Sequence, residues 1–278
     1  MQEFMAYTEG KVAVITGAGS GIGRALAQQL NQTGCRLYLS DINADSLAET
    51  VAGLPRKDVA VHSRTVDVAR RDDMHAWADE VASQSGHVDI VINNAGVALM
   101  SLVEDCDYEN LDWLMGINFW GVVHGTQAFL PLLRKAQQGH VINMSSVFGL
   151  IGVPTQSAYN AAKFAVRGYT EAMRQEMEGT NIHVCCVHPG GIRTNIAKMA
   201  RGGDPNQSPD ERGKQFEKAA RTTAEDAAAQ IIGAIAKRKK RLLIGNDARF
   251  ISLLVRLFPV GYTRFMPSLA RVQGAASE

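Results

Sequence analysis

Apolar residues along the chain fall into short β-branched runs that alternate with stretches of helical spacing. KVAVIT at 11–16 ends in glycines and predicts a buried strand. Residues 22–34 carry apolar side chains at helical spacing and close on a glycine, which predicts a helix. The alternation continues with a strand at 36–40, a helix containing Leu47 and Val51, a strand at 59–66 and a polar helix through Trp77 and Val81. A strand at 88–93 and one long helical region over 107–135 follow, then a strand at 140–145 and a helix that includes SAYNAAKFAV, 157–166. A strand at 182–188 is stopped by Pro189-Gly190. Residues 200–215, rich in Gly, Pro, Asp, Asn and charge, read as a long loop. A helix at 224–237, a strand at 241–245 and a final helix at 247–258 complete the chain, with Asp247 as cap and Pro259 as stop.

Strands and helices that alternate through short connections imply parallel strands with crossover helices on both faces. The expected fold is α/β: a doubly wound, parallel, seven-stranded sheet in three layers. One domain is expected over 1–278, with a core at about 10–246 and an apolar C-terminal extension at 247–278. The near-even balance of 29 basic and 28 acidic residues argues against a nucleic-acid partner. Cys35, Cys106, Cys185 and Cys186 have neither CxxC nor metal-ligand spacing, so all four read as reduced and structural, and no metal is expected. His183 and His188 read as core or capping residues. Neither a secretory signal nor a run of about eighteen uncharged apolar residues is visible, which makes the cytoplasm the expected compartment.

VITGAGSGIG, 14–23, lies between the first strand and the first helix, where backbone N–H groups can hold a phosphate. Its spacing, Gly17-xxx-Gly21-x-Gly23, departs from GxGxxG. Asp41 ends the second strand. A carboxylate there could bind the adenosine ribose of NAD and repel the extra phosphate of NADP, or simply cap a turn. Arg24 is a basic counterweight that keeps NADP open. Tyr159 and Lys163, four apart, stack on one helix face.

Thr16 to Gly23 as TGxxxGxG, Asn93-Asn94-Ala95-Gly96, Asn118, Ser146, Tyr159-xxx-Lys163 and Pro189-Gly190 occur in one order over about 10–246. Together they resemble the short-chain dehydrogenase/reductase family, in its single-domain branch. The resemblance implies a Rossmann-type sheet, a nicotinamide cofactor and a homodimer or homotetramer. It implies that Gly17, Ser20, Gly21, Ile22 and Gly23 line the pyrophosphate turn, and that Asp41 holds the adenosine ribose. Asp67 and Val68 would flank the adenine, and Asn94 and Gly96 would run along the cofactor. Pro189, Gly190, Ile192 and Thr194 would approach the carboxamide, and Tyr159 and Lys163 would also touch the cofactor. Ser145 and Ser146 are both candidates for the catalytic serine, with the family's spacing favouring Ser146. Asn118 would help hold a water beside Lys163.

Hydride transfer from an alcohol to NAD requires removal of the hydroxyl proton. Tyr159 could take it as phenolate, with the Lys163 ammonium expected to lower its pKa from about 10. Ser146 would hydrogen-bond the reacting oxygen. An NAD-linked dehydrogenase or carbonyl reductase is the leading expectation. NADP use, or a non-catalytic dinucleotide-sensing module, is the alternative. The basic run at 237–241 joins an apolar segment, which suggests a hydrophobic alcohol or carbonyl substrate beneath a 191–221 lid. It also suggests peripheral contact with a membrane surface.

Overall fold

The computed structural model describes residues 6–265. Its centre is a seven-stranded sheet in the order β3-β2-β1-β4-β6-β7-β9, with every pairing parallel. The strands are β1 (Val12–Thr16), β2 (Arg36–Asp41), β3 (Val61–Thr65), β4 (Ile90–Asn93), β6 (Gly139–Met144), β7 (Ile182–Pro189) and β9 (Arg241–Ile244). Between them run α1 (Gly21–Gln32), α2 (Ala44–Ala52), α3 (Arg71–Ser85), α4 (Tyr108–Met115), α5 (Gly121–Lys135), α6 (Ser157–Glu176) and α8 (Ala224–Ala236). The expected doubly wound fold is therefore present.

β1 shows why its sequence is apolar throughout. Ala13 and Ile15 face one core, shared with Leu26 and Leu30 of α1 and Ile231 of α8. Val12 and Val14 face the other, shared with Trp77 of α3, Phe129 of α5 and Met173 of α6. A strand covered on both sides cannot alternate apolar with polar positions.

The sheet interior also carries a buried polar chain. Asn93 and Asn143 are register partners on β4 and β6. The Asn93 amide donates to Asn143 Oδ1 at 2.8 Å and to Thr126 Oγ1 at 3.1 Å, and the Asn143 amide donates to Thr170 Oγ1 at 3.1 Å. This ladder ties the two central strands to α5 and α6. Both amide nitrogens find partners there, while Asn93 Oδ1 is left buried without one.

Two regions differ from expectation. The 107–135 stretch is not one regular helix: a π turn at Gly116–Trp120 separates α4 from α5. The 200–215 stretch is not a loop. It contains β8 (Arg201–Gly202), paired with β5 (Leu99–Met100), and the start of α7 (Pro209–Ala219). Ser208 and Glu211 form a reciprocal capping box around Pro209 at the first helical position, and this local signal is what outweighs the loop-like composition. The final helix, α9, runs Asn246–Leu257 and is entered from Gly245 at φ 95°; Asp247 is not its cap. Residues 266–278 of the expected C-terminal extension lie outside the described residues.

Two buried histidines make the fold acid-sensitive. His140 sits 2.6 Å from Tyr7 Oη, and burial pushes its pKa down to about 3. Burial holds His188 at about 4. Between these values and the ordinary 6.5 the unfolded chain binds more protons than the folded one. Stability is therefore complete above about pH 6.5 and is lost as pH falls toward 4. Denaturant titration should show a loss on the order of 2–4 kcal/mol between pH 7 and pH 5, and His140→Gln should flatten it. An unchanged midpoint would count against this account.

Candidate active site

Strand order reverses between β1 and β4, and open sheets of this kind bind ligands in the crevice beyond the carboxyl ends of such strands. After β1 the chain turns through Gly17 at φ 66° and enters α1 at Gly21, φ 50°. A Cβ on Gly17 would stand 2.8 Å from Ala95 Cα, and one on Gly23 would strike the Gly17 carbonyl oxygen. The turn is held by Asn94, whose amide donates to the Thr16 and Gly17 carbonyls at 2.9 and 3.1 Å. Thr16 Oγ1 in return accepts from the Asn94 and Ala95 N–H groups. Ser20 stands at the N-cap of α1 without spending its side chain there, and the first turn has no acidic residue. That leaves a helix N-terminus and a hydroxyl that fit a pyrophosphate. Ile22 is half-buried and packs against the α1 core.

Asp41 lies beside this turn. Its Oδ2 accepts from Gly19 N at 2.8 Å and its Oδ1 from Asn43 N at 2.9 Å. Arg24, considered above as a basic counterweight, is committed behind the turn. Its Nη2 donates to the Gly19 carbonyl at 2.6 Å and to Glu49 at 3.1 Å, and its Nε donates to Thr50 Oγ1 at 2.9 Å. Asp67, just past β3, uses Oδ1 to accept from Ala69 N at 3.0 Å. Val68 is buried, and its side chain fills the space over Gly121, where a Cβ would stand 2.8 Å away. Its side chain thus packs inward on α5 and does not line the crevice.

Pro189 ends β7, and Gly190 N donates to the Ile244 carbonyl at 2.9 Å. Ile192 is buried in the core and its backbone bridges to Thr222. Thr194 closes on the glycine turn: its Cγ2 would lie 3.1 Å from a Cβ on Gly21. The two halves of the predicted cofactor set therefore meet across the crevice. Asp247, which was expected to cap the last helix, instead faces this turn. Its Oδ2 accepts from Gly191 N at 2.7 Å, and Cβ atoms on Gly190 or Gly245 would collide with its carboxylate. No sequence pattern marks this role, because Asp247 and Gly191 are 56 residues apart.

Asn118 and Lys163 meet beside Gly96, and Tyr159 lies between Lys163 and Ser146. A Cβ on Gly96 would stand 3.2 Å from Asn118 Oδ1 and 3.5 Å from Lys163 Nζ. Asn118 is fully buried in the π turn, where the added residue breaks the helical register. Its Oδ1 accepts from Val97 N at 2.8 Å and its Nδ2 donates to the Val97 carbonyl at 2.9 Å. Ser145 is occupied: its hydroxyl donates to the Lys163 carbonyl at 2.8 Å. Ser146 Oγ accepts from Phe148 N at 3.1 Å and is hydrogen-bonded to Tyr159. The Ser146 carbonyl is 3.0 Å from His188 Nδ1, so His188 braces this turn from β7. Of the two serines, only Ser146 offers its hydroxyl to the tyrosine.

The electrostatics of the free protein correct one expectation. Burial pushes the Tyr159 phenol up to about 12, and the bond with Ser146 only partly opposes it. Burial also pushes Lys163 down to about 8. The Lys163 ammonium was expected to lower the tyrosine, but desolvation acts on both groups and wins. Lys163 Nζ donates to the Met144 carbonyl at 3.0 Å and stands 5.5 Å from the Tyr159 ring centroid.

Apolar side chains surround the tyrosine: Phe148 meets its ring edge-on, and Leu99, Leu114 and Trp113 pack in the same cluster. The 191–221 segment is folded over this side. Buried Arg212 donates to the carbonyls of Ala197, Ala200 and Gly202, and Arg201 stacks 3.8 Å over Trp113. Thr155, at φ 63°, is a β-branched residue in the left-handed region, a strained position in the loop leading to Tyr159.

A family profile described as short chain dehydrogenase matches residues 11–204. SadH of Mycobacterium tuberculosis is 44% identical over 264 residues, covering 94% of this chain and 96% of its own. Dehydrogenase/reductase SDR family member 7B of Bos taurus is 33% identical, covering 96% and 83%. Among solved structures, a short chain dehydrogenase/reductase from Burkholderia phymatum in complex with NAD superposes with a TM-score of 0.82 at 30% identity, covering 90% and 94%.

The Asp247 contact predicts a local effect that is independent of any reaction. In Asp247→Ala, amide exchange of a peptide spanning 189–194 should quicken at least about tenfold, the effect of losing one charge-assisted hydrogen bond. Asp247→Asn, whose amide oxygen can still accept from Gly191, should restore most of the protection. Equal exchange in wild type and Asp247→Ala would remove the role.

Proposed function

The chain belongs to the short-chain dehydrogenase/reductase family and is an NAD(P)-dependent oxidoreductase, and we propose that it moves a hydride between NAD(H) and a hydrophobic secondary alcohol or its ketone. The observation that carries this reading is the chain of neighbours Ser146, Tyr159 and Lys163, with Lys163 reaching Gly96 on the side of a glycine turn fit for a pyrophosphate.

When bound, the cofactor supplies the hydride acceptor or donor and, when oxidised, a positive charge at the site. In the alcohol-to-ketone direction Tyr159, having first lost its own proton to become phenolate, takes the hydroxyl proton at Oη as the hydride leaves. Ser146 Oγ turns from its partner Tyr159 to hydrogen-bond the same substrate oxygen. Lys163 keeps one N–H on the Met144 carbonyl, and its other two donors would be free to serve the cofactor and a water near Asn118. With the tyrosine at about 12 in the free protein, proton removal relies on charge that arrives with the cofactor. In the reverse direction Tyr159 is the acid. Gly17, Ser20, Gly21 and Gly23 take the pyrophosphate, and Asp67 with the Val68 backbone borders the adenine.

NAD is favoured over NADP because the Asp41 carboxylate, held beside the glycine turn, would repel a ribose phosphate, while Arg24 is tied to Gly19, Thr50 and Glu49. The apolar wall of Leu99, Trp113 and Phe148 favours a hydrophobic substrate.

Tyr159→Phe should cut turnover of medium-chain or steroid-like ketones by at least about a thousandfold while NADH still binds, as read by fluorescence. Equal turnover in both proteins would sink the catalytic assignment, and activity restricted to small polyols would sink the hydrophobic substrate. Wild type should bind NADH more tightly than NADPH, and Asp41→Ala should narrow that preference by about tenfold or more. A wild-type preference for NADPH would reverse the cofactor reading.

A further inference from the structure

Six of the twelve large apolar side chains exposed among the described residues lie within 250–265: Phe250, Leu253, Leu257, Phe258, Val260 and Phe265. The first three recur on one stripe of α9 at helical spacing. On another face of the helix Ala248 and Ile251 are buried against Val147 and Ile151 beside the catalytic turn, and Leu254 is buried as well. One apolar face is therefore enough to dock this helix on the protein, and the second is left to water. Such concentration of exposed apolar surface marks a contact site.

The charge pattern says what covers it. Arg249 and Arg256, seven residues apart, flank the exposed stripe on one side, and Arg264 lies just beyond the helix; all three are exposed. Asp247 is the lone acid in 246–265, and it is turned to Gly191. Arg241, the last of five consecutive cations, donates to Ser252 Oγ at 3.2 Å and so adds one more cation to the same helix. The chain as a whole carries only +1, so this excess is local. An apolar stripe bordered by arginine suits an interface of acyl chains and anionic headgroups.

We infer that α9 and the turn after it seat this protein on an anionic lipid bilayer. Tyr262 fastens that turn to the substrate side, since its Oη accepts from Gly152 N at 2.9 Å in the loop before Tyr159. A docked molecule would thus hold its apolar substrate wall near the bilayer. This use of the surface rests on the catalytic reading, whereas the docking does not, because lipid binding is measured without turnover.

Flotation of the full chain with phosphatidylcholine vesicles, with and without phosphatidylglycerol, tests it. Wild type should float with the anionic vesicles and much less with the neutral ones. Leu253→Ser combined with Leu257→Ser should weaken binding at least about tenfold, and so should Arg249→Gln combined with Arg256→Gln. Both double variants alter exposed side chains, so unchanged melting temperatures and NADH binding should accompany the loss. No flotation of wild type, or flotation indifferent to the anionic lipid or to both double variants, overturns the inference. So does light scattering that finds a wild-type dimer broken by the serine pair, which would assign the face to a second copy of this chain.

Discussion

The clasp between Asn94 and the end of β1 is the interaction on which the functional edge of this protein depends. One side-chain amide satisfies the Thr16 and Gly17 carbonyls, while Thr16 Oγ1 satisfies two backbone N–H groups in return. Without these bonds the ends of β1 and β4 would leave buried backbone groups unpaired at the point where strand order reverses. With them, the left-handed Gly17 turn has one position relative to Gly96. The phosphate-binding edge and the Lys163 pocket then share one frame. The Asn93–Asn143 ladder, one residue earlier on the same strand, fixes β4 to β6 and carries that frame across to Ser146.

Burial sets the chemistry inside that frame. The Tyr159 phenol and Lys163 ammonium lose water in the same pocket, and each moves toward its neutral form. Ser145, Met144 and His188 contribute by holding the backbone of the turn that carries Ser146, so only its hydroxyl is left to turn between partners.

The C-terminal helix joins three surfaces that are usually described apart. Its first turn fixes Gly191 through Asp247, its buried stripe packs behind the catalytic turn, and its outer stripe faces water. Events on the outer surface are therefore mechanically connected to both walls of the reaction site. The folded 191–221 segment, pinned by Arg212 and Arg201, closes the remaining side.

Much of this was legible along the chain. Strand–helix alternation specified the parallel sheet, because a strand buried on both faces must be apolar at every position. Ordered motifs specified Ser146, Tyr159, Lys163 and the glycine turn, because their chemistry needs fixed residue types at fixed local spacing. Other features only the tertiary structure decided. The π turn at Asn118 exists because that amide must reach Val97, and Asp247 leaves its expected cap because Gly191 comes within reach. α7 was hidden by composition although its capping box was present. The tyrosine's pKa depends on how much water the assembled pocket excludes. Local sequence records what a residue needs from neighbours within a turn or a strand, while burial, dielectric and contacts between distant segments arise only once those elements have packed.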